Sequence, residues 1–189
     1  MTAAALAPAW VRPTARALPT APLLGAAVAV VGLATARLLV DGFTSAPPGL
    51  LEALLAGTVV AALHDPAADL LAASPTGRLH RHAHRLWLVL PLALALWVLP
   101  TAAGDLVDST GWPTGPVVAL TATGVALALL LPGPSGVTLG SAVTLAWGAA
   151  TFVVPPEDAG LLLPWLHHPW LHCAAVAAVL GLTLPRRRR

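Results

Sequence analysis

Residues 85–103 read RLWLVLPLALALWVLPTAA. After the arginine there is no further charge. The run from Leu86 to Ala103, with Pro91 inside it, approaches the roughly 20 residues that a helix rising 1.5 Å per residue needs to cross bilayer hydrocarbon. The same reading extends outward in both directions. It predicts helices at about Ala21–Val40 and Gly49–His64 before this run, and at about Thr114–Leu131 and Val137–Val154 after it. The last apolar region, Leu161–Leu184, is interrupted by Pro164 and Pro169. Hydrophobic residues make up 57% of the chain and charged residues 10%, against roughly half and a quarter in an average soluble domain. Mean hydropathy is +0.81.

The arginines orient this pattern. The chain has no lysine, so all 10 basic residues are arginine. Short loops rich in arginine mark the cytoplasmic side of a membrane protein. With six spans, Arg12 and Arg16, then Arg78, Arg81 and Arg85, then Arg186 to Arg189 fall on one side. Asp105, Asp108, Glu157 and Asp158 fall on the other. The expectation is an all-α polytopic plasma-membrane protein with six transmembrane helices and both termini inside, forming one transmembrane domain over residues 1–189. Within it, 1–19 is a cytoplasmic N-terminal segment, 65–85 a cytoplasmic loop, 155–169 an outer, re-entrant segment and 185–189 a basic tail. Arg12 and Arg16 ahead of an apolar run that ends in Ala34-Thr35-Ala36 also fit a signal peptide, the minor alternative. Missing lysine and tyrosine beside abundant Ala, Leu, Pro and Gly fit a GC-rich, bacterial genome.

The segment between the second and third helices carries the most information. Asp65-Pro66 is a helix start, an acidic cap followed by proline in the first turn, and Ser74-Pro75 repeats it. A short helix is predicted over Pro66–Ala73, with Leu70 and Leu71 as an apolar patch and Asp69 as a charge. Arg78, Arg81 and Arg85 follow at helical spacing near one face. A plain connector needs only a few residues, so this segment is read as a docking element, against the alternative of a solvated connector whose arginines fix topology.

With six helices, both ends inside and a short helix in the first cytoplasmic loop, the chain resembles the permease subunits of type-two ATP-binding-cassette exporters, and the stretch from Asp65-Pro66 through Ser74-Pro75 to Arg78 and Arg85 is similar to the corresponding loop of actinobacterial members. The resemblance implies a membrane-spanning permease working with a separate cytoplasmic ATPase, which carries ATP and Mg, and with a second permease subunit in a homo- or heterodimer. It assigns the coupling role to Asp65, Pro66, Asp69, Leu70, Leu71, Arg78, Arg81 and Arg85. One departure is that Pro8, Pro13 and Pro19 interrupt the region where that family carries an interfacial helix.

Other polar groups sit in apolar surroundings. Arg37 in the first helix has Asp41 at i+4 as its expected partner, and Glu52 lies in the first turn of the second helix, where the dipole tolerates an acid. With His167, His168 and His172, these are read as polar groups of the membrane interior or pathway. His168, His172 and Cys173 include soft-metal ligand types, but proline splits them and no acidic partner is close, so no metal is assigned. His80, His82 and His84 are read as solvated.

Enzymatic activity in the chain itself is not expected. A phosphate-binding P-loop needs its lysine. Gly133-Pro134-Ser135-Gly136 matches the G-x-S-G pattern of rhomboid proteases, but a tight Pro/Gly turn explains the same residues. No aromatic-interleaved basic stripe suggests nucleic acid. The alternatives to the permease are a small haem- or metal-handling membrane protein and a non-transporting accessory subunit of a membrane complex.

Overall fold

A computed structural model of the chain describes residues 10–39, 49–65, 77–104, 114–131, 133–154 and 156–183. These are helical: α1 (Val11–Arg16), α2 (Thr20–Leu39), α3 (Leu50–Ala61), α4 (Arg78–Gly104), α5 (Gly115–Leu130), α6 (Gly133–Ala149), a 3-10 turn (Ala150–Phe152), α7 (Pro156–Leu162), α8 (Pro164–His167) and α9 (Pro169–Thr183).

The starts follow local chemistry. Proline in the first turn of α5, α8 and α9 gives up an N–H that has no intrahelical partner there. The positive φ of Gly133, 69°, turns the chain between α5 and α6. The backbone is divided again at Leu163 and His168, on either side of α8.

The central helix is α3, with nine of its 12 residues buried. It packs on α2, α4, α5 and α6. Its Leu51 and Leu55 join Ala26 and Val30 of α2, Trp97 of α4 and Val117 of α5. Its Ala53 and Ala56 join Ala119 and Leu120 of α5, Ala159 of α7 and Trp165 of α8. Val59 meets Val89 and Ala93 of α4. Two helices come within backbone distance where small residues face one another: a Cβ on Gly140 of α6 would lie 2.5 Å from the carbonyl oxygen of Gly124 in α5, and a Cβ on Gly124 would lie 2.9 Å from Thr144 Cγ2 of α6. Close-packed interiors have no room for such additions.

This architecture keeps the all-α expectation and overturns the six-span one. Among the described residues no helix is long and apolar enough to cross a membrane. At 1.5 Å per residue, α3, α5, α6 and α9, with 12, 16, 17 and 15 residues, extend about 18 to 26 Å, short of a hydrocarbon core of about 30 Å. The two longer helices, α2 with 20 residues and α4 with 27, do not qualify over their described residues either; α2 holds Arg37 near its end, and the charged residues of α4 are confined to its first turns. The polytopic topology, the both-termini-inside orientation, the re-entrant segment, the multi-pass plasma-membrane location and the membrane-transport description all rested on six spans, and are corrected with them. The apolar content that suggested spans goes in part into helix-on-helix packing around α3. The predicted coupling helix, Pro66–Ala73, lies outside the described residues.

Large apolar side chains also remain uncovered. Leu24, Val28 and Val31 on α2, Leu161 on α7, and Trp170, Leu171, Val179 and Leu182 on α9 are all more than half exposed.

Candidate functional site: a carboxylate clamp between two helices

The most developed polar arrangement joins the end of α3 to the start of α4. α3 runs out through Ala62, and Leu63 and His64 close it with tight bonds to Val60 O and Ala61 O at 3.0 Å each. The last carbonyls of a helix lack intrahelical donors and carry partial negative charge. Arg85 meets that need: its Nη1 donates to the carbonyl oxygen of His64. Its Nη2 lies 3.0 Å from Asp65 Oδ1, and Arg81 Nε lies 3.2 Å from Asp65 Oδ2. One carboxylate thus receives two guanidinium groups that stand four residues apart on one face of α4. The site is sheltered, with side-chain exposures of 9% for Asp65, 6% for Arg85 and 19% for Arg81.

Three of the residues expected to act at this loop, Asp65, Arg81 and Arg85, are therefore brought together. Pro66, Asp69, Leu70 and Leu71 lie outside the described residues. Arg78 opens α4, and its side chain is not among those described. Next to the clamp, Trp10, just before α1, stacks on His84 with ring centroids 4.2 Å apart. Sequence reasoning missed that contact, and nothing in local spacing signals a partner seventy residues away. It also placed His82 in solvent, whereas His82 is buried.

The second polar site is at the start of α3. Gly49 adopts φ 94° and its N–H donates to Glu52 Oε2 at 2.9 Å, the carboxylate half of a capping box. A side chain at Gly49 would meet Thr151 Cγ2 at 2.6 Å and Trp165 Cη2 at 2.9 Å, so the turn fits only glycine. Glu52 is buried, and burial pushes its carboxyl above the usual range, opposed by the hydrogen bonds from Gly49 and its own backbone. Because the folded pKa is raised, the stability linked to the neutral acid is fully present below the unfolded value and is lost as pH rises through the folded value. Glu52→Gln is expected to keep the Gly49 bond, to raise stability at neutral pH and to flatten that slope. Thermal melts of both proteins from acidic to neutral pH check this, and parallel curves would contradict it.

His172, on α9, reaches α5. Thr123 Oγ1 donates to Ala119 O at 3.2 Å, which leaves it to accept from Nε2–H of His172 at 2.7 Å. The edge of Trp147 faces the same imidazole, centroids 5.3 Å apart, and Trp147 Nε1 donates to Leu162 O at 3.0 Å. Burial lowers the His172 pKa and raises that of Cys173, so neutral imidazole and thiol are the favoured forms. A thiol rather than a thiolate is a weak metal ligand.

His167 and His168 are exposed where α8 gives way to α9; the His168 carbonyl accepts the His172 backbone N–H at 3.0 Å, but the side-chain partners of the His172 imidazole are Thr123 and Trp147. Among the described residues no group of three or more His, Cys, Asp or Glu is placed to hold a metal ion. Arg37 lies in α2 with its side chain undescribed, and Asp41 is outside the described residues, so their expected pairing is too. Ser135 stands in the first turn of α6, on a different element from the His172 pair.

No family model, curated protein or solved structure matches the chain.

Proposed function

We propose that the chain is a non-enzymatic helical subunit of a larger complex, docking through the segment that joins α3 to α4 onto a separate ATPase. The observation that supports this most is the clamp. Asp65, with Arg81, Arg85 and the His64 carbonyl, fixes the end of α3 to the start of α4 at one sheltered point. The twelve or so residues between these ends exceed what a plain connection needs, and they include the apolar pair Leu70-Leu71. The partner supplies ATP and Mg chemistry, and this chain supplies the docking element. The uncovered apolar side chains of α2, α7 and α9 are compatible with the same reading, since exposed apolar patches mark protein–protein or membrane contact sites.

The test is stoichiometric recovery of the partner. Tagged chain, purified gently from cells expressing it at native level, is expected to carry an ATPase at fixed ratio. Leu70→Asp or Leu71→Asp should remove that ATPase while the chain still folds, because apolar anchors at an interface centre carry most of its energy. Elution of the unmodified chain with no ATPase, or retention of one at wild-type ratio by both variants, overturns the proposal.

A further inference from the structure

The first turns of α4 hold a pair of histidines that the docking role does not use. His80 and His84 are four residues apart, hence one above the other on one face. Their ring centroids are 4.2 Å apart, with planes at 63°. His80 is exposed and His84 partly so. His84 lies flat on Trp10, centroids 4.2 Å apart and planes 8° from parallel.

This stacking uses the π face of the imidazole. Metal coordination uses a nitrogen lone pair in the ring plane. Trp10 therefore holds the orientation of His84 without covering its ligating edge. Arg81 and Arg85 of the same helix are drawn to Asp65, so their guanidinium groups are directed into the clamp. His82, between the two histidines in sequence, is buried.

We propose that His80 and His84 form a two-histidine chelate for a divalent transition-metal ion. Imidazole ligands suit copper, nickel and zinc, and copper(II) heads the affinity order for such sites. Two imidazoles bound through nitrogen at about 2.0–2.1 Å, at right angles on one ion, put their ring centres roughly 4.5 Å apart. The observed separation of the ring centres, 4.2 Å, is close to this. Water completes the coordination, so the site is open and weaker than a closed four-ligand site. Only neutral imidazole ligates, so the metal competes with protons for the ring nitrogens. A bound ion would rigidify the start of α4 and, through His84, its contact with Trp10.

The experiment titrates copper(II) into the purified full chain, following tryptophan emission and heat. One saturable site per chain is expected at neutral pH, with quenching of the part of the emission that Trp10→Phe removes, and loss of the site on acidification. His80 is exposed, so His80→Ala should fold. It should lose the saturable phase, whereas His167→Ala and His168→Ala should keep it. Absence of saturable binding, its persistence in His80→Ala, or quenching unchanged by Trp10→Phe would each overturn the chelate. None of these outcomes depends on whether an ATPase binds the chain.

Discussion

Gly148→Ala should destabilise the fold by about 2 kcal/mol or more, although alanine is the better helix former. Gly148 lies in α6, where glycine costs roughly 1 kcal/mol relative to alanine on propensity alone. Space decides the sign. An added methyl would land on Ala53 Cβ of α3 and lie 2.8 Å from the Gly49 carbonyl oxygen. Neither neighbour is the far end of a flexible side chain, so the helices themselves must separate. Overpacking a well-filled core costs about 1–3 kcal/mol and occasionally more, and here one methyl strikes both α3 and the glycine turn that starts it. Gly25→Ala and Gly181→Ala are the controls. They lie in α2 and α9 with nothing within 4 Å of an added Cβ, so each should stabilise by about 0.5–1 kcal/mol through the loss of glycine's unfolded-state freedom. Thermal or denaturant midpoints of the three variants measure this. A neutral or stabilised Gly148→Ala would mean that α3 and α6 are not in backbone contact.

That contact was invisible in the sequence for a physical reason. The segments that became α5 and α6 are apolar on nearly every face, so helical periodicity gives no direction to their packing. Their existence was legible: α5, Gly115–Leu130, lies where the apolar run from Thr114 to Leu131 put a helix. α6 starts at Gly133 rather than Val137 because Pro134 occupies its first turn, where proline is tolerated. α4 runs unbroken from Arg78 to Gly104, so the helical spacing read for Arg78, Arg81 and Arg85 after the start signal at Ser74-Pro75 continues directly into the apolar run from Leu86. The spans failed on a different point. Hydropathy counts how much apolar material lies in a stretch. Crossing a bilayer needs that material in one unbroken helix of sufficient length, and the last apolar region is instead divided among α7, α8 and α9.

The candidate site was legible by halves. The spacing of Arg81 and Arg85 showed that they share a face, and Asp65 stood out beside its proline. What the sequence could not show is that these residues meet each other, because Asp65 and Arg85 are 20 residues apart and their approach depends on how α4 packs against the end of α3. Likewise Glu52 was placed in a first turn from its position alone, but its burial depends on how α3 packs among the surrounding helices.

Asp65→Ala is expected to cost about 3–5 kcal/mol, the range for breaking a buried pair by removing one partner. The loss comes less from the missing attraction than from what remains. Arg85, only 6% exposed, keeps its contact with the His64 carbonyl but no longer has a counter-charge, and Arg81 at 19% is drawn toward solvent. Arg81→Ala alone should cost far less, because it leaves Asp65 paired with the better-buried guanidinium and because partly exposed pairs contribute about 0–1 kcal/mol. The decisive comparison is the double substitution Asp65→Leu with Arg85→Met. Replacing a buried ion pair with apolar groups of similar size is often neutral or stabilising and leaves only the more exposed Arg81 without its counter-charge, so the double variant should recover most of the stability lost by Asp65→Ala. Denaturant midpoints give each step, and full stability of Asp65→Ala would show that the clamp is solvated. The same pair of variants separates stability from docking. If the clamp serves only to hold α3 to α4, the recovered double variant should bind its partner normally. If its charges also serve docking, the double variant should fold well yet associate weakly, because Leu and Met cannot reproduce the ion pairs by which one carboxylate holds two arginines at once.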